Sequence, residues 1–144
     1  MKSLLVGTAA LEVVTGLGLL AAPAEIVSSL LGGEPDTPVN FVVARVAGAA
    51  LVALALACWG ARIEPRSQAA AGVVTAMLAY NAIVAAVLVY AGTRLELSGP
   101  GLWPAVGLHL ALAAWCVACL RIKHRDVGAQ RNQHQPPAAE QAGR

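Results

Sequence analysis

Four long apolar runs, separated by short polar stretches, organise this chain. They cover about residues 3–22, 39–61, 68–91 and 101–122. Each has roughly 20 residues or slightly more, the helical length needed to cross a hydrocarbon core about 30 Å thick. Runs of this length exceed ordinary strands, so the pattern predicts helices. Pro23 stops the first run. Thr37-Pro38 supplies a cap and a first-turn proline for the second, and Ser67 caps the third. Between the first two, residues 25–31 are short and amphipathic and suit the membrane interface. Gly32-Gly33-Glu34-Pro35-Asp36 then turns the chain. The expected fold is all-α, an integral membrane four-helix bundle built from residues 1–122. The remaining segment turns rich in Gln, Asn, Pro and Gly beyond Arg125, so residues 123–144 are expected to form a disordered cytoplasmic tail.

Composition agrees with a membrane class. The 144 residues are 58% hydrophobic and only 12% charged, about half of the roughly 25% charged residues of a soluble domain. Abundant small residues allow helix backbones to approach closely in lipid. A net charge of +2 is too small for a nucleic-acid binder. Lys2, the apolar run and Ala22-Pro23-Ala24 imitate a secretory signal with its cleavage site. Glu12 inside the apolar region, and the length of the run, point instead to a retained first helix.

Orientation is read from the short loops. Lys2, the Arg62/Arg66 loop and the flank Arg121, Lys123 and Arg125 carry the basic residues. The first loop carries Glu25, Glu34 and Asp36 and no cation, and the third only Arg94. The positive-inside rule then places both termini and the middle loop in the cytoplasm, with the protein multi-pass in the inner (plasma) membrane.

Each apolar run carries one polar or ionisable residue at similar depth: Glu12, Arg45, Asn81 and His109. At about 1.5 Å rise per residue, Glu12 and Asn81 lie roughly 15 Å, and Arg45 and His109 roughly 10 Å, from the same ends of their helices. Ionisable groups in hydrocarbon are costly and tend to mark functional sites. Thr8, Glu12 and Thr15 share a face of the first helix. Tyr80, next to Asn81, has a hydroxyl that needs a partner at mid-membrane depth. Ala44/Gly48 and Gly107/Ala111 are small-xxx-small pairs beside the polar positions, suited to close helix contacts. One use of this layer is structural, with Glu12 and Arg45 neutralising each other and Asn81 and His109 hydrogen-bonding across helices. The other is a polar pocket for a ligand headgroup or a proton. A third is contact with another membrane subunit.

Cys58, Cys116 and Cys119 form a second constellation at the opposite ends of the second and fourth helices. A Cys-x-x-Cys pair at a helix C-terminus lacks the dipole that activates thiols at an N-terminus, and cysteine is also a small apolar packing residue. Trp59, Trp103, Trp115 and Tyr90 lie near helix ends as an interfacial belt. No phosphate loop, zinc-protease helix or nucleophile elbow is present, and no cofactor or metal site is expected.

The layout, with Arg45-Val46-Ala47-Gly48-Ala49-Ala50 in the second helix, resembles the DoxX-like group of small bacterial membrane proteins. The segment from Arg45 to Trp59, and Leu102-Trp103-Pro104-Ala105-Val106 followed by His109, resemble uncharacterised four-helix bacterial inner-membrane proteins. Those likenesses cover most of residues 1–122 and imply no particular activity. Ala10-Leu11-Glu12-Val13-Val14 also resembles the first helix of the small multidrug resistance exporters. That likeness implies a glutamate alternately binding a proton and a cationic substrate. The aromatic and glycine pattern of that family's third helix is missing here.

Three functions follow as expectations. The first is a small non-enzymatic membrane protein, an accessory or lipophilic-ligand-binding subunit acting through the polar layer. The second is a proton-coupled small-molecule transporter centred on Glu12. The third is a membrane thiol oxidoreductase using Cys116 and Cys119. The expected partners are the lipid bilayer, a lipophilic small molecule or another membrane subunit, and further copies of the chain in a homo-oligomer.

Overall fold

A computed structural model describes residues 1–133, with side chains described through Ile122. The elements are α1 (Lys2–Ala21), α2 (Pro23–Leu31), α3 (Pro38–Ala61), α4 (Gln68–Arg94) and α5 (Leu102–Gln133). Among the described residues four helices are long and apolar enough to cross a membrane: Lys2–Ala21, Pro38–Ala61, Gln68–Arg94 and, within α5, Leu102–Ile122. The chain is therefore a small multi-pass membrane protein whose outer surface meets the bilayer.

The helix starts follow the local chemistry. Thr37 is the N-cap of α3 and its hydroxyl oxygen accepts from the Asn40 N–H at 3.3 Å. Pro38 follows at the first helical position, where its missing N–H costs nothing. Ser67 caps α4 by accepting from the Ala70 N–H at 3.0 Å. Gly32, at φ +80°, supplies the left-handed residue that ends α2. α5 continues past the expected end at Ile122 as far as Gln133. The first part of the expected tail is thus helical backbone, consistent with its Arg, Lys, Ala and Gln content. Residues 134–144 lie outside the described residues.

The long helices alternate in direction and pack most extensively as two pairs, α1 with α3 and α4 with α5. Gly16 and Gly48 set the first pair. A Cβ on Gly16 would stand 2.8 Å from the Gly48 carbonyl oxygen, and one on Gly48 2.7 Å from the Gly16 carbonyl oxygen. Only paired glycines permit that approach. The expected small-residue contact at Ala44 and Gly48 is formed, both being buried. The expected one at Gly107 and Ala111 is not, since both are exposed on the outer face of α5.

The two pairs meet in one apolar cluster near the end that carries the N-terminus. It joins Leu4, Leu5 and Ala9 of α1, Cys58 of α3, Val74 and Met77 of α4, and Leu112, Cys116 and Cys119 of α5. Towards the other end, a separate cluster of Leu88, Ala91, Leu102 and Val106 belongs to α4 and α5 alone, with Leu30 and Leu31 of α2 packed against it. α2 bridges the pairs there, touching α1, α3 and α5. The Gly101 N–H donates to the Ser29 carbonyl at 2.8 Å, fastening the last loop to α2. That end is called the α2 end below.

Candidate functional site

The polar layer lies next to the shared apolar cluster, where the two helix pairs meet. α1 buries Leu4, Leu5, Thr8, Ala9, Glu12 and Gly16, a face repeating at three to four residues. Thr8 and Glu12 are therefore turned into the bundle, at 2% and 5% exposure. Thr15 falls at the edge of that stripe and is exposed. It does not join the layer, because Gly16 takes the inward position against α3.

α4 and α5 bring the other members. Asn81 is fully buried, and its amide N–H donates to the Met77 carbonyl one turn earlier at 2.7 Å. That bond leaves the Asn81 oxygen to face His109 Nδ1, 2.8 Å away. An amide oxygen only accepts, so His109 must carry its proton on Nδ1. In the neutral ring Nε2 is then a free acceptor. Tyr80 packs edge-on against the His109 ring, with centroids 5.8 Å apart. The Glu12 carboxyl, from the other helix pair, interacts electrostatically with the Tyr80 hydroxyl and the Cys58 thiol. Tyr80, Asn81 and His109 thus meet on the α4–α5 pair, with Glu12 facing them from α1 and Thr8 one turn from Glu12.

Arg45 does not join them. It is exposed on α3 and makes no hydrogen bond or ion pair among the described residues. The Gly16–Gly48 contact explains why. In that antiparallel register Glu12 stands level with Val52, so Arg45 lies seven residues, roughly 10 Å, closer to the α2 end. It also projects away from the stripe of Ala44, Gly48, Leu51, Ala55 and Cys58 that α3 buries. Sequence depth placed Arg45 about one turn from the carboxylate; the helix register adds a second turn and a rotation.

Glu12 is consequently a carboxyl without a counter-charge. Neither it nor Thr8 nor Tyr80 makes a hydrogen bond among the described residues. Among the described residues no buried side-chain oxygen or nitrogen is sealed off without a partner, so the oxygens of these three residues keep some exposure. The layer therefore offers a set of unused oxygens, with Glu12 the one that can carry charge, beside an ordered Asn81–His109 pair.

The three cysteines are free and buried. Cys116 interacts electrostatically with both Cys58 and Cys119. All three belong to the shared apolar cluster with Leu4, Leu5, Val74 and Met77, which is how cysteine behaves as a packing residue. Among the described residues no group of three or more His, Cys, Asp or Glu side chains is arranged to hold a metal ion.

One pairing was not legible in the sequence. The Arg62 guanidinium lies 3.5 Å from the Trp59 ring centroid and donates to the Trp59 carbonyl. It closes the C-terminus of α3, where the helix dipole favours a cation.

No family model matches the chain, and neither a curated protein nor a solved structure matches it.

Proposed function

We propose that this is a small non-enzymatic membrane protein that binds a lipophilic ligand in the polar layer, with Glu12 receiving the ligand's polar end. The observation that carries this reading is a buried carboxyl that has no hydrogen bond or counter-charge among the described residues and is not completely sealed from its surroundings. A charge in low dielectric is costly unless neutralised. Glu12 therefore calls for a proton or a cationic, hydrogen-bond-donating group. His109 Nε2 in its neutral form and the Tyr80 and Thr8 hydroxyls add acceptors for the same end of the ligand. The rest of the ligand is expected to be apolar, since the layer adjoins the apolar cluster that contains Met77, Cys58 and Cys116.

A lipophilic carbodiimide tests the site. A protonated carboxyl in apolar surroundings gives its proton to a carbodiimide nitrogen while its oxygen attacks the carbodiimide carbon, and rearrangement to the N-acylurea keeps the whole mass of the reagent. The expected result is a single adduct on Glu12, slowed by a long-chain tertiary amine and absent in Glu12→Gln. Failure of the amine to protect Glu12 would overturn the proposal.

A second reading is favoured by the position of Arg45. A proton-coupled transporter needs its carboxylate free to exchange proton for cation, and a paired arginine would hold it ionised. Arg45 lies elsewhere, so that obstacle is removed. The site also spans the seam between two helix pairs, with Glu12 on one and Tyr80, Asn81 and His109 on the other. Movement of the pairs about the seam is the motion alternating access requires. The resemblance to small multidrug resistance exporters around Glu12 points the same way. Proton-driven uptake of a lipophilic cation into vesicles, abolished by Glu12→Gln, separates this reading from simple binding.

We also propose the inner membrane with both termini cytoplasmic, from the distribution of basic residues. A homo-oligomer is supported by the small share of each span that the chain itself buries, 22% for α3.

A further inference from the structure

Arg45, left out of the polar layer, occupies a place of its own. It is exposed on a helix whose neighbouring surface is apolar, with Val42 60% and Val46 64% exposed. Phe41, Val42 and Ala49 lie one turn away on its face. Seven residues separate it from Pro38, so its Cα stands roughly 10 Å inside the end of α3. A guanidinium left at that depth in hydrocarbon is costly. Two features bring it out. Helical side chains lean towards the helix N-terminus, which here is the nearer membrane surface. The aliphatic stem can lie along Phe41 and Val42 while the head rises to the interface.

We propose that Arg45 holds the phosphate of a membrane phospholipid, whose acyl chain lies on the α3 surface over Ala49. The geometry of a guanidinium fork matches two phosphate oxygens at once. Charge complementarity selects lipid over a second copy of the chain. Among the described acidic residues only Glu12 lies inside a membrane-crossing stretch, and it is buried in its own bundle. Glu25 lies on α2, Glu34, Asp36, Glu64 and Glu96 lie in the connecting segments, and Asp126 lies on α5 beyond its membrane-crossing part. The spanning helices of a neighbouring copy therefore present no carboxylate to Arg45, and the acidic residues at the α2 end stand on α2 and the loops rather than on the surface that flanks Arg45. A lipid phosphate is present at that level all around the protein.

The test is native mass spectrometry of the full chain released from nanodiscs containing phosphatidylethanolamine and phosphatidylglycerol. Wild-type protein is expected to retain phospholipid. Arg45→Ala should retain about tenfold less, the effect of losing one charge-assisted hydrogen-bonded contact. Arg45→Lys, which keeps the charge and loses the fork, should fall between them. Arg66→Ala, at the opposite end, should match wild type. Thermal melts establish that each variant is folded, and Arg45→Lys serves if Arg45→Ala is not. Equal retention by wild type and the folded Arg45 variants would overturn the proposal. So would loss of an oligomer in Arg45→Ala without loss of lipid, which would assign the surface to a second copy.

Discussion

Replacing Gly48 by alanine adds one methyl group at the tightest point between α1 and α3. Its carbon would stand 2.7 Å from the Gly16 carbonyl oxygen, 2.9 Å from Leu19 Cβ and 3.2 Å from Leu20 Cγ. Carbon atoms settle at about 3.5–4.0 Å, so α1 must retreat by roughly 0.6 Å or more. Two of the three obstacles are a backbone oxygen and a Cβ, which no rotamer change can move. Overpacking of this kind costs about 1–3 kcal/mol. Alanine regains about 1 kcal/mol of helix propensity, which leaves a net loss of at most about 2 kcal/mol. Gly72→Ala and Gly107→Ala are the matched controls, since nothing lies within 4 Å of a Cβ at either position. They should be neutral or slightly stabilising. Unfolding in mixed micelles with rising dodecyl sulfate, followed by circular dichroism, measures all three. Gly48→Ala as stable as Gly72→Ala would refute the close α1–α3 contact. It would also remove the register that separates Arg45 from Glu12.

Further outcomes follow from the site. Asn81→Ala removes the partner of His109 Nδ1, and leaving that group unpaired should cost about 1–3 kcal/mol in the same unfolding assay. His109→Ala leaves the fully buried Asn81 oxygen without its partner and should cost a similar amount. Cys58→Ser, which puts a hydroxyl into the shared apolar cluster, should cost about 1–3 kcal/mol. A thiol chemistry at Cys116 and Cys119 would show instead as loss of function in the Cys116→Ser/Cys119→Ser double variant with stability intact.

The sequence was most legible where a local signal sufficed. Thr37-Pro38 and Ser67 cap the helices they were expected to cap, because a cap depends on three or four consecutive residues. Span lengths follow from hydropathy, which adds up along one helix. Glu12, Asn81 and His109 could be assigned a common depth because rise per residue is fixed. Rotation and register belong to helix pairs, and no single helix determines them. Arg45 sits beside Gly48 in sequence, yet Gly48 turns inward against Gly16 while Arg45 turns outward. Thr15 loses its expected place to Gly16 for the same reason. Gly107 and Ala111 carry the spacing of a contact but face outward, since Leu102, Val106 and Leu112 supply the buried side of that helix. The division into two helix pairs had no sequence signal, and it is what places Glu12 across a seam from His109.

Native mass spectrometry of wild-type and Glu12→Gln protein, extracted gently from the same membrane, tests the central claim most directly. The account predicts a reproducible small-molecule mass on wild type, lost from a folded Glu12→Gln variant that still carries its phospholipid. A wild-type chain with no such mass, or a mass retained undiminished by Glu12→Gln, would contradict it.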